Sequence, residues 1–364
     1  MKTRAKSKRF RICAHPKRAY LIGQYLLKLD MKKFITHLVK IAAVASLFTL
    51  PAIAQQVKRT PFDVTNYVMD VSLMPTERKI SATVDVTFTP LEDTRSVSFE
   101  LNGSLKVDSV TRIGGMMLNP AGVQTKPAVR PTPKPMSPSA AQITFIQDQS
   151  ASTDLGPHVR IDLGENVVKG IPITLRFKYN GILDLPAGGP LLNKRLAYIG
   201  DNQGYLMYAA RWFPFHDYAA DPATSDISIT IPAGLTLTGY STAPVTTNGN
   251  KSRFVQSTPA LIGNFAYGKY AAKTLRIADY DIQFLAKPGN DANIAKYAET
   301  LGNALDFYTK RFGAPASGKR LIVAQIDDDS LDFYSSTGML LIANRQFEEA
   351  RDVTVERLQR EAAL

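Results

Sequence analysis

From Tyr67 onward, apolar residues recur at every second position. Tyr67, Met69, Val71 and Leu73 alternate with polar or smaller neighbours. Ile80, Ala82, Val84, Val86 and Phe88 alternate with Lys79, Ser81, Thr83, Asp85 and Thr87. The same period returns at Val97, Phe99 and Leu101, at Val159, Ile161 and Leu163, and at Ile173, Leu175, Phe177 and Tyr179. A period of two puts one set of side chains on one face of a strand, so it predicts half-buried strands of antiparallel sheets. Further strands are expected over residues 226–231, 235–240, 252–256 and 280–286. Many short strands between turn residues predict a β-sandwich or several packed sheets.

Two stretches break this period. Residues 120–138 carry six prolines, which cannot pair as a central strand and favour an extended, solvated loop. After Pro288 the spacing lengthens: Ile294, Tyr297, Ala298, Leu301, Leu305, Tyr308 and Phe312 stand three and four apart, the pattern of a helix. Asn290 or Asp291 is placed to cap its first turn and Gly313 to end its last. A strand over 321–326, a run of aspartates, a strand over 339–343 and a second helical pattern follow. Val355, Leu358 and Ala362 give that last helix a buried face, and it reaches Leu364 without a Gly, Asn or Pro stop signal. The chain thus divides into a mainly β region, residues 60–286, and an α+β segment, residues 287–364, expected to be incomplete.

Charge changes the picture only at the amino end. The chain of 364 residues carries a formal charge of +12, which invites a nucleic-acid reading. Residues 1–54 hold 12 of the 44 Lys/Arg and one of the 32 acids, which leaves +1 for everything after them. No nucleic-acid partner is expected. Met31-Lys32-Lys33, an apolar run over 41–50, Pro51 and Ala52-Ile53-Ala54 read as a secretory signal over residues 31–54 with cleavage after Ala54. The other reading is an uncleaved anchor, but His37 and Lys40 interrupt the run and it is short for a span, so no stable membrane span is expected after cleavage. Residues 1–30 are either an over-called start or a long positive region before the signal. The expected location is periplasmic or extracellular. The one cysteine, Cys13, lies in the leader, so the mature chain has no disulfide, no thiolate metal ligand and no cysteine nucleophile.

Candidate chemistry is sparse. The mature chain has two histidines, His158 and His216, and neither sits four residues from a second ligand. His216-Asp217 is placed to meet a substrate or metal, but a packing histidine is the default. Asp327, Asp328, Asp329 and Asp332 lack the alternating ligands and glycine turn of a calcium loop and read as a solvated loop. Residues 186–190 are Gly-rich without the lysine of a phosphate cradle. Trp212 and its aromatic neighbours read as core between sheets.

Four stretches, in order, resemble the zinc aminopeptidases of the alanyl-aminopeptidase and leukotriene-hydrolase type. They are Thr65-Asn66-Tyr67-Val68-Met69-Asp70-Val71-Ser72-Leu73, Ala210-Arg211-Trp212-Phe213-Pro214, Leu261-Ile262-Gly263-Asn264-Phe265-Ala266-Tyr267-Gly268, and the helix ending Tyr308-Thr309-Lys310-Arg311-Phe312-Gly313. The resemblance implies a saddle-like antiparallel β-sandwich domain followed by an incomplete thermolysin-like domain. In that family a G-x-M-E-N loop binds the substrate's free amine through its Glu. H-E-x-x-H on a helix binds zinc, with its Glu as general base.

The sequence departs from both motifs. Aligning Gly338 with the glycine after the first motif puts Ser335 where the amine-binding Glu belongs, and a hydroxyl carries no charge to pair with an ammonium. Aligning Glu361 with the general base turns H-E-x-x-H into R-E-A-A-L. Arg360 and Leu364 then stand at the ligand positions, and neither offers zinc an electron pair. The alternative is that the true motif falls past residue 364 in a longer parent. Either way no zinc is expected in this chain. The expected function is an exported aminopeptidase-like protein without peptidase activity of its own, or the front of an active enzyme, or a non-enzymatic module that binds peptides or a partner protein.

Overall fold

The computed structural model describes residues 61–113, 142–148, 157–183, 194–216, 221–328 and 331–349. The leader, the proline-rich stretch 120–138, the loop 186–190, Asp217, Asp329 and the positions Arg360, Glu361 and Leu364 lie outside the described residues.

The first half of the described chain is mainly strand: β1 (Phe62–Met74), β2 (Lys79–Pro90), β3 (Thr94–Glu100), β4 (Leu105–Ile113), β5 (Thr144–Gln147), β6 (His158–Val167), β7 (Ile173–Ile182), β8 (Ala197–Ile199) and β9 (Gln203–Leu206). It continues with β10 (Ala223–Thr230), β11 (Thr236–Gly239), β12 (Thr246–Asn248), β13 (Lys251–Ala260), β14 (Phe265–Gly268), β15 (Ala271–Ile277) and β16 (Tyr280–Ala286). Then come α1 (Asp291–Phe312), β17 (Arg320–Ile326), β18 (Phe333–Ser336), β19 (Met339–Ala343) and α2 (Asn344–Glu349).

The strands form open sheets. Seven run in the order β12-β13-β10-β1-β2-β7-β4, three as β3-β6-β5 and four as β11-β14-β9-β8. The period-two residues of β1 and β2 face each other, with Tyr67 opposite Val86 and Val71 opposite Ala82, and all four are buried. The large sheet is antiparallel except for β1, which pairs with β10 in parallel. Its inner face and those of the smaller sheets share one core holding Trp212, Phe88, Phe99 and Phe177.

The last sheet has the order β15-β16-β17-β19-β18. The hairpin β15–β16 falls before residue 287, yet β16 pairs in parallel with β17 across the crossover helix α1. β17 pairs in parallel with β19, and β18 returns antiparallel on β19. These central strands are buried on both faces, so they read as continuous apolar runs. Ile322, Ala324 and Ile326 of β17 join the core of the β region, while Val323 packs beneath α1 with Ile294, Tyr297, Ala298 and Leu301.

The α1 cap differs from expectation. Asn290 precedes the helix but makes no side-chain cap, because its Nδ2 donates instead to the Lys287 carbonyl and Gln325 Oε1, both at 3.3 Å. Gly313 ends the helix as expected, with φ 91°.

Candidate functional site

β18 is the edge of the last sheet, and among the described residues no strand pairs with its outer side. The Ala343 N–H donates to the Asp332 carbonyl at 2.9 Å. In an antiparallel pair, hydrogen-bonded and non-bonded pairs alternate. Tyr334 and Ser336 therefore spend their backbone groups on Leu341 and Met339, their partners in the register. The N–H and C=O groups of Phe333 and Ser335 point to the open edge. Such an edge offers an extended peptide a ready ladder.

Two anchors hold this edge. The Tyr334 hydroxyl donates to the Met207 carbonyl at 3.0 Å, tying β18 to the residue after β9. Gly338, in the β18–β19 turn, has φ 65°, and a Cβ there would overlap the ring of Tyr240. Tyr240 in turn donates to the Ser317 carbonyl at 2.6 Å. Ser335 is exposed and its hydroxyl has no hydrogen-bond partner among the described residues.

The aspartates before β18 do not share one site. Asp327 is exposed and accepts Asn344 Nδ2 at 3.0 Å. Asp328 is 5% exposed, against the expectation of a solvated loop. Its Oδ1 accepts the Leu331 N–H at 3.3 Å. The phenol of Tyr205 meets it too: burial first, then the charge and hydrogen bond of Asp328, push that phenol well above its ordinary pKa. Asp332 accepts Arg345 Nε at 3.0 Å and Gln346 Nε2 at 3.1 Å. Asp328 is thus a carboxylate buried just past the carboxyl end of β17, a parallel strand. The sequence signal for it was the interruption of the apolar run at Asp327, with no hint of which aspartate turned inward.

Among the described residues no group of three or more His, Cys, Asp and Glu is placed to hold a metal ion. His158 starts β6, and His216 Nδ1 is engaged by Asp221 Oδ2 at 2.8 Å while its ring stacks on Phe62 at 3.8 Å. The described donor set does not fit zinc. Trp212 is fully buried and its Nε1 donates to the Gly263 carbonyl at 3.0 Å, the core role expected of it. Beside it, Arg211 is buried over the ring of Tyr208, and burial pushes its guanidinium pKa down. Among the described residues no helix is long and apolar enough to cross a membrane.

No protein-family model and no curated protein matches the sequence. Solved structures do. A two-domain M1 zinc metallopeptidase mutant bound to L-arginine is similar with a TM-score of 0.57 and 16% identity, over 83% of this chain and 63% of that one. The M1 zinc metallopeptidase from Deinococcus radiodurans gives 0.55 and 15%, over 82% of this chain and 62% of that one. The fold is that of the M1 zinc metallopeptidases. A mutant of the Deinococcus radiodurans protein bound to a Tyr-Ser-Ala substrate gives 0.57 and 15%, over 82% of this chain and 63% of that one. The chain spans less than two thirds of the length of these M1 structures. The likeness agrees with the resemblance drawn from the stretches at Thr65, Ala210, Leu261 and Tyr308.

Proposed function

We propose that this chain is an exported, aminopeptidase-like protein that binds peptides and lacks peptidase activity of its own. The observation that carries the reading is Ser335: an uncharged, exposed side chain on the open edge of an M1 fold, where the family's motif places an amine-binding Glu. The backbone of Phe333 and Ser335 supplies the ladder for an extended peptide, and Ser335 supplies a weak, neutral partner for its amine. The R-E-A-A-L alignment of Arg360, Glu361 and Leu364 supports the absence of a zinc centre. Export rests on the signal that ends at Ala54.

The test is direct. Purified protein starting at Gln55 is assayed for metal by mass spectrometry and for hydrolysis of aminoacyl-anilides. Peptides with free or acetylated amino ends are compared by thermal shift. One zinc per chain with turnover overturns the reading of inactivity, and no shift with either peptide overturns peptide binding.

A second reading, that the chain is the front of an active zinc aminopeptidase, is favoured by its 63% coverage of a two-domain relative. The coding sequence past the codon for Leu364 decides between them: an open frame containing His-Glu-x-x-His supports the longer enzyme.

A further inference from the structure

A groove of about 350 Å³ opens at the carboxyl ends of β16 and β17, facing the β8–β9 turn and the turn that joins β1 to β2. It is separate from the surface around Ser335, which lines a different depression beside α1. Its floor is fixed by hydrogen bonds. Gln203 Nε2 donates to the Tyr270 hydroxyl oxygen at 2.9 Å, and that hydroxyl donates to the Gln325 carbonyl at 2.7 Å. The fully buried Gln325 side chain accepts the Lys287 N–H at 2.8 Å.

The rim carries three cations and two carboxylates. Arg78, Lys269 and Lys287 line the groove and are exposed. Arg78 and Lys269 have no ion pair among the described residues. Two carboxylates, Asp201 and Asp327, also line it, and Asp327 is already engaged by Asn344. Arg78 carries a further mark. It sits with φ 54° and ψ 30°, the left-handed region, with its N–H on the Pro75 carbonyl. A long L side chain is disfavoured there and glycine would serve the turn better. The turn therefore does not account for an arginine at this position, where the residue lines the groove.

We infer that this groove binds a carboxylate, carried by an acidic peptide. The guanidinium fork of Arg78 matches the planar carboxylate, with Lys269 as a point charge beside it. Asp201 and Asp327 cut the net positive charge of the groove, which limits the advantage a dianion would otherwise hold over a monoanionic carboxylate. That the carboxylate arrives on a peptide rests on the proposed function; the groove's preference for carboxylate does not.

The full chain is titrated by calorimetry with a C-terminally amidated tripeptide carrying one glutamate, with its amidated glutamine counterpart, with acetate and with inorganic phosphate. Arg78→Gly and Lys269→Gln are compared with the parent; the first removes a groove cation while relieving the turn, so its melting temperature is expected to hold. The expected result is about tenfold tighter binding of the acidic tripeptide than of the glutamine one. That preference shrinks in both variants and at high salt. Equal affinity for the two tripeptides, or a preference unchanged in both variants, overturns the groove and leaves peptide binding standing. Acetate bound by the parent and lost in the variants, with neither tripeptide bound, upholds the groove and removes the peptide reading. Failure of both acetate and the acidic tripeptide, or phosphate bound more tightly than acetate, overturns the proposal.

Discussion

Asp221 holds two groups of the first strand and the His216 imidazole at once. Its carboxylate receives the Val64 N–H at 3.0 Å and the His216 imidazole at 2.8 Å, and the carboxyl of Asp63 hydrogen-bonds to it. Replacing Asp221 by Ala leaves a buried N–H and a half-buried imidazole without their acceptor. The expected loss is about 3 kcal/mol in urea denaturation at neutral pH.

Asp63 gives this corner a pH dependence. Burial first, then the hydrogen bond and charge of Asp221, hold its carboxyl above the ordinary carboxylate range, with His216 opposing. The folded chain therefore binds this proton more tightly than the unfolded chain. The stability it contributes is full below the ordinary carboxylate value and is lost as pH rises through the raised one. Asp63→Asn is expected to match the parent in acid and exceed it at neutral pH. Paired denaturation curves at several pH values show this as a gap that opens on the alkaline side.

Gly338 combines a left-handed φ with the ring of Tyr240 lying against it. Gly338→Ala meets both penalties. It should cost about 2–4 kcal/mol, measured by chemical denaturation, and loosen the β18 edge.

Ser335→Glu puts a carboxylate on that edge. If peptides lie along β18, free-amine peptides should gain about fivefold to tenfold in affinity over the parent, with acetylated ones unchanged, as read by titration calorimetry.

Trp212 is the chain's single tryptophan and is fully buried. Its emission should be blue-shifted in the native state and should move red in one step with unfolding of the β region. A red-shifted native spectrum would contradict the packing of Trp212 against Phe213 and Gly263.

What the sequence made legible follows from how regular each element is. β1, β2 and β7 keep alternation over long runs, and the strands, though not their partners, were readable from it. β4 was not, because the register shifts between Val107 and Ser109 and the bulge breaks the period. β9 and β18 are too short to show any period, yet they carry Gln203, Tyr205 and Ser335. α1 was legible from its spacing, but the fate of Asn290 was not, since Gln325, its competing partner, comes from a strand far along the chain. The same holds for Asp328: only the fold brings Tyr205 to it. The groove around Arg78 gathers residues from five separate connections, and no local pattern announces it.

The pairing of β16 with β17 bears on how the molecule melts. A fragment ending at Ala286 would strip β16 of its parallel neighbour and open the aromatic side of Tyr280 and Phe284 to water. Calorimetry of the whole chain should then give a single endotherm, and the slowest-exchanging amides should sit together in β16 and β17, so that the second segment acts as a keystone for the first.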